Sequence, residues 1–259
     1  MKQEDGRDDP ATSTNLGRAL TIAACFADPD NILSLAPHGR GLINDSYLVR
    51  LRSGSAFLLQ RLNPAIFPDP KVPMHNLRLV GRHIQRKQQI NPGAKDQAIL
   101  PLPLRTSLPL GPGESPRPVD SCHDETGACW RALNFIEPSR TILAIENEVQ
   151  AWQLGAALGR FHCLLNDLPP SRLLDPLPTF HVTPWIYAQY QKKAAVILKA
   201  VKDEQTAEIG EKIDFCHAFI QQRRDRVAVL EQARARGILP ERIIHGDPKL
   251  DNFLFAADS

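Results

Sequence analysis

Ile243-Ile244-His245-Gly246-Asp247-Pro248-Lys249-Leu250-Asp251-Asn252-Phe253-Leu254-Phe255 is the stretch on which the reading of this chain turns. Two apolar residues lead into a polar loop and an apolar run leads out, a pattern that predicts strand, loop, strand. His245 stands two positions before Asp247, Lys249 two after it and Asn252 five after it. Gly, Pro, Asp and Asn are turn formers, so one reading is a surface turn between two strands. Few such turns carry this set at this step. A carboxylate can take a proton and a carboxamide oxygen can hold a hard cation, and one rigid loop projects both.

A His two before an Asp, with an Asn five after it, has the spacing of the protein-kinase catalytic loop. On that pattern Asp247 accepts the proton of the attacking hydroxyl and Asn252 holds Mg²⁺. Lys249 neutralises charge on the transferred phosphoryl group, and His245 braces the loop. His245-Gly246-Asp247 with Asn252 resembles the aminoglycoside phosphotransferase and choline kinase superfamily of small-molecule kinases. Within it the chain is most similar to N-acetylhexosamine kinases and their relatives. The strings that carry the closer resemblance are Leu42-Ile43-Asn44-Asp45-Ser46-Tyr47, Leu59-Gln60-Arg61-Leu62-Asn63, Phe67-Pro68-Asp69-Pro70 and Phe180-His181-Val182-Thr183-Pro184.

The resemblance implies an α+β, protein-kinase-like fold of two lobes. Residues 1–14 are expected as a disordered tail, 15–136 as an antiparallel nucleotide-binding lobe and 137–259 as a mainly helical, incomplete lobe. It implies ATP and Mg²⁺ as cofactors and a small hydroxylated substrate, an amino sugar first. Asp247 would meet that substrate, and His181 is a candidate sugar contact. The other reading of His181 is a loop histidine braced against a helix start.

Bulk properties are those of an ordinary soluble chain. At 259 residues it is long enough for one large domain or two smaller ones. A net charge of +2 argues against a dedicated nucleic-acid or membrane-surface binder. No apolar run approaches the ~18 residues of a membrane span. The polar start, Met1 to Asp9, is no secretory signal. With 5 scattered cysteines the chain reads as reduced and cytoplasmic. Cys122, His123 and Cys129 fit no zinc spacing.

Taken in order, Leu16 to Phe26 has helical spacing. Leu33 to Leu35 and Ser46 to Leu51 read as strands around a turn bearing Gly39 and Gly41. Glycine lets backbone N–H groups approach an anion, so Gly39 to Ser46 becomes a phosphate-covering candidate in the kinase context. Asn44, Asp45 and Ser46 open the second strand toward a ligand. Phe57 to Leu62 is a third strand. Kinases place a Lys here to grip phosphates, whereas this chain has Gln60 and Arg61, which alternation sends to opposite faces. Arg61 could supply charge and Gln60 a hydrogen bond. Asp69-Pro70 caps a helix from about Lys71 to Gln89, which contains no Glu to pair with a strand lysine. His75 and Arg82 are its polar candidates. Prolines from Pro92 to Pro118 exclude a long helix. Trp130 to Phe135 is a strand. By resemblance it ends in the hinge, where adenine would meet backbone groups of Asn134, Phe135 and Ile136.

Ile145 to Asn166 is helical with two apolar stripes, which predicts a buried helix with Trp152 and His162 as packing residues. Trp185 to Lys202 and Thr206 to Arg236 are two further helices. A kinase site also needs an acidic metal ligand beyond the catalytic loop. After Asn252 the next acid is Asp258, too soon for a returning strand. The expectation is therefore either a piece of a longer kinase or a kinase-like binding module without turnover.

Overall fold

The computed structural model describes residues 10–39, 43–90, 100–108, 117–204 and 207–257. Contacts divide the chain into one unit of Met1–Pro176 with Ile243–Ser259 and a second of Leu177–Arg242. The stretch from Ile243 to Phe255 joins the first unit. No described helix is long and apolar enough to cross a membrane.

The first unit opens with α1 (Pro10–Ala23), which begins before the expected end of the disordered tail at residue 14. Strands β1 (Ile32–Pro37), β2 (Asp45–Leu51) and β3 (Ala56–Arg61) follow. Helix α2 (Lys71–Ile90) comes next, with Asp69 accepting from the Lys71 N–H at 3.0 Å. Strands β4 (Thr106–Leu108), β5 (Arg117–Val119), β6 (Ser121–His123), β7 (Cys129–Asn134) and β8 (Ser139–Arg140) precede α3 (Glu148–Leu165). The main sheet is antiparallel with strand order β1-β2-β3-β7-β6.

Strand alternation splits this sheet into two chemically different faces. Tyr47, Val49, Phe57, Leu59, Trp130 and Ala132 point to one face and bury against Ala19, Ile22 and Ala23 of α1. Ser46, Leu48, Leu58, Gln60, Arg131 and Leu133 alternate with them and take the other face. Helix α2 leans on the end of α3 through Ile84, Leu164 and Leu165. Gly81 of α2 permits a close approach of Leu102 instead, because a Cβ would stand 2.5 Å from Leu102 Cδ2. Arg78 of α2 reaches Asp120 at 2.5 Å, and Lys87 and His83 hold Asp167 beyond α3.

Helix α3 departs from expectation. Only Gln150, Leu164 and Leu165 are buried, while Trp152 is 67% exposed and His162 is also exposed. Its last turn reaches α2, and its two apolar stripes are not enclosed along the rest of its length. The expected strand Ile243-Ile244 is also absent. This lead-in has no regular structure, and Ile243 instead packs on the α2–α3 cluster. The outgoing strand is real but short: β9 (Phe255–Ala256) pairs antiparallel with β8.

The second unit is helical. It holds α4 (Thr183–Glu204), α5 (Ala207–Gln221) and α6 (Val229–Ala235). Tyr190 of α4 meets His217 Nδ1 of α5 at 2.5 Å. The single helix expected over Thr206 to Arg236 is broken between α5 and α6 by a 3₁₀ turn at Arg224–Arg226. Arg223 stacks over Phe219, 3.4 Å from its ring centroid, and donates to the Phe219 carbonyl at 3.0 Å, which ends α5. Gly237, at φ 71°, terminates α6 as expected.

Candidate active site

The catalytic stretch is shaped by its aromatic frame and by one glycine. His245 stacks on Phe253, with centroids 5.9 Å apart and planes at 17°, and meets Phe161 of α3 edge-on at 5.8 Å. Its Nδ1 accepts from the Asp247 N–H at 3.4 Å. Between them Gly246 takes φ 85°, a left-handed conformation that L side chains avoid. A 3₁₀ turn over Leu250–Asn252 then folds the loop back, closed by the Asn252 N–H on the Lys249 carbonyl at 3.0 Å.

That fold-back joins the two key side chains. Asn252 Nδ2 donates to the Asp247 carbonyl at 2.8 Å and to Asp247 Oδ2 at 2.9 Å. Both amide protons are thus spent on Asp247, which fixes Asn252 Oδ1 as an outward acceptor and leaves Asp247 Oδ1 for another partner. The open carboxamide oxygen of Asn252 on an exposed loop suits Mg²⁺, which takes few protein ligands and fills its remaining positions with water and phosphate oxygens, and the open Asp247 oxygen is left to accept a proton. Lys249 does not join them; its Nζ holds Asp251 Oδ2 at 3.1 Å. Among the described residues no three His, Cys, Asp or Glu side chains gather as a metal site. Cys122 points to the α1 face while Cys129 and His123 take the other, so these three do not converge.

The nucleotide candidates lie along the sheet. Ser46, Gln60 and Arg131 occupy one cross-strand row. Gln60 Nε2 donates to Ser46 Oγ at 3.0 Å, and Arg131 Nε donates to Gln60 Oε1 at 3.1 Å. Arg61 takes the opposite face, 3.6 Å from Asp45 Oδ2 and 3.8 Å from Asp124 Oδ2. The alternation left open by the sequence therefore places Gln60 with Ser46, and Arg61 and Asp45 with each other. Asn44 braces the far end of β3, its Oδ1 accepting from the Asn63 N–H at 3.1 Å. Gly39, at φ 78°, turns out of β1, while Gly41 lies outside the described residues.

At the hinge the three candidates differ. Asn134 is committed to the Leu100–Leu104 segment: its N–H donates to the Leu102 carbonyl at 2.9 Å and its side chain accepts from the Leu102 N–H. The Ile136 carbonyl accepts from the Ser139 hydroxyl. Phe135 keeps its peptide groups clear of these bonds, and its ring meets His38 edge-on at 5.3 Å. His38 in turn donates its N–H to the Ser46 carbonyl at 2.8 Å, so the hinge and the glycine-bearing turn share one contact. His75 and Arg82 line a cavity of about 240 Å³ on α2 with Arg78, Arg86 and Arg172. His181 belongs to the second unit, where it adopts φ 64° with its ring 4.1 Å from Phe180. A positive φ at a non-glycine residue is uncommon, though histidine tolerates it better than most.

Sequence reasoning passed over Arg131. Its signal was present as a lone charge inside the apolar strand Cys129-Trp130-Arg131-Ala132-Leu133. Residues 34–259 match the model of the APH phosphotransferase enzyme family, which covers most of the chain.

Proposed function

Because this chain belongs to the phosphotransferase enzyme family, we propose that it moves the terminal phosphoryl group of ATP to a hydroxyl of a small molecule, an amino sugar such as an N-acetylhexosamine. The observation that carries this reading is the double hydrogen bond from Asn252 Nδ2 to Asp247. It orients the carboxylate and leaves one carboxylate oxygen and one carboxamide oxygen open on the same loop. Asp247 is exposed, and it accepts the proton of the attacking hydroxyl as that oxygen bonds to phosphorus. His245, held between Phe161 and Phe253, keeps the Asp247 peptide in place through its Nδ1. Mg²⁺ held at Asn252 Oδ1 would neutralise charge on the phosphate oxygens. Ser46, Gln60 and the peptide groups of Phe135 are the nucleotide contacts.

Phosphoryl transfer depends on positioning and electrostatics, and a general base contributes roughly 10²–10⁴-fold. Asp247→Asn is expected to lower kcat by that amount in a coupled ATP assay over an amino-sugar panel, with ATP affinity nearly unchanged. Full activity in that variant would sink the assignment of the base. ATP binding by the wild-type chain with no turnover on any hydroxylated acceptor would make it a binding module instead.

A further inference from the structure

The face of the sheet away from α1 carries a charge that the fold does not neutralise. Arg131 lies on β7 beside Gln60 of β3, which pairs with Ser46 of β2. Its side-chain hydrogen bond among the described residues runs from Nε to a neutral acceptor, Gln60 Oε1, at 3.1 Å. No carboxylate acts on it among the described residues, and burial pushes its pKa down to about 10, with the Cys129 thiol opposing. The group stays protonated at neutral pH. Arg131 is half-buried, and a partly desolvated cation without a counter-charge is costly and persists where an anion completes it. By contrast Arg61 faces Asp45 and Asp124, and Arg78 faces Asp120.

The neighbours of Arg131 say what kind of anion fits. Leu58 and Leu133 pair one row nearer the hinge on the same face, and Leu48 stands across from Leu58. In that row Leu48 and Leu58 are half-buried and offer apolar surface, while Leu133 is buried, two residues before Phe135 in sequence. The Ser46–Gln60–Arg131 row lies two residues further along the strands, about 7 Å away at the usual strand rise. An apolar row beside a hinge, followed at that spacing by two hydrogen-bonding side chains and a bare cation, matches a nucleoside polyphosphate lying along the strands. Neither β3 nor α2 supplies the usual alternative, because β3 has no Lys and α2 has no Glu.

We propose that Arg131 is the cation that receives the phosphates of the bound nucleotide, with Gln60 as the residue that aims it. The guanidinium spends Nε on Gln60 Oε1 and presents its outer nitrogens to phosphate oxygens, a geometry that suits paired donation. Gln60 passes the order on to Ser46 at the start of β2. The charge that kinases place on the third strand is thus carried one strand over. This inference rests on the nucleotide reading of the site given above.

The test measures binding, without turnover. Calorimetric titration of the full chain with ATP, ADP and adenosine, with Mg²⁺ present throughout, is compared for wild type, Arg131→Gln and Arg131→Lys. Arg131→Gln is expected to weaken ATP and ADP by roughly 10- to 100-fold, the range of a charged hydrogen bond. Adenosine affinity should stay unchanged, and Arg131→Lys should recover part of the loss. Without ligand the melting temperature of Arg131→Gln should hold or rise, since a partly desolvated charge has been removed. Equal ATP affinity in wild type and Arg131→Gln overturns the proposal. So does a fall in ligand-free stability or a failure to fold, either of which would make Arg131 a brace of the sheet. Wild-type chain that is folded yet binds neither ATP nor adenosine overturns the nucleotide reading itself and this inference with it.

Discussion

Gly246 decides where Asp247 points. Its φ of 85° is open to glycine, and an added Cβ would meet nothing within 4 Å, so the constraint there is backbone strain and not crowding. A side-chain-bearing residue in the left-handed region costs roughly 1–2 kcal/mol. The loop can relieve that cost by rotating the Gly246–Asp247 peptide, which breaks the register between Asp247 and Asn252. Gly246→Ala is therefore expected to lower kcat by about 10- to 100-fold, since small misplacements of a reacting group are expensive. The melting temperature should fall by only a few degrees. Steady-state kinetics beside a thermal melt would check this, and unchanged kcat would mean that the loop geometry is not limiting.

At the scale of elements, the β6–β7 hairpin is fastened by one carboxylate. Asp124 Oδ1 accepts from the N–H groups of Thr126 and Ala128 and from the Thr126 hydroxyl, and Oδ2 accepts from Trp130 Nε1 at 2.8 Å. Burial pushes this carboxyl up, but the hydrogen bonds from Thr126, Trp130 and Ala128 outweigh it and hold the pKa at about 2. A folded pKa below the unfolded value means stability that is fully present above about pH 4 and is lost as pH falls toward 2. The amount is roughly 2 kcal/mol. Urea unfolding of wild type and Asp124→Asn between pH 6 and pH 2 should show a gap that narrows with acid; a constant gap would refute the linkage. These elements were unevenly legible in the sequence. Strands β2, β3 and β7 and helix α2 announced themselves by alternation or by a 3.6-residue apolar stripe, because each buries one face. The break between α5 and α6 was hidden, since an Arg-rich run is not a breaker by composition and the stacking of Arg223 on Phe219 is a tertiary event. The juxtaposition of Asp247 with Asn252 was legible from spacing alone. The unusual position of Arg131 was not, because a charge in a strand reads as solvent-facing until the sheet's two faces are known.

At the scale of the molecule, the groups assigned to nucleotide and metal come from distant parts of the chain yet fall in one unit. Ser46, Gln60, Phe135, Asp247 and Asn252 all belong to the unit that joins Met1–Pro176 to Ile243–Ser259. The strand pair β8–β9 ties the hinge side of that unit to the end of the catalytic loop through Ser139 with Ala256 and Arg140 with Phe255. A ligand that binds only the folded form stabilises it by roughly 2.7 kcal/mol at a hundred times its Kd. ATP with Mg²⁺ should therefore slow amide hydrogen exchange over β2, β3, β7 and residues 245–253, the segments that touch or support the nucleotide. Helices α5 and α6 of the other unit should change little. Removing Mg²⁺ should return 245–253 to its free rate while β2, β3 and β7 keep most of their protection, because under the proposed function Asn252 holds the metal and the sheet holds the base and phosphates. Protection spread evenly over both units, or an effect on the sheet that vanishes with the metal, would show that this division of labour is wrong.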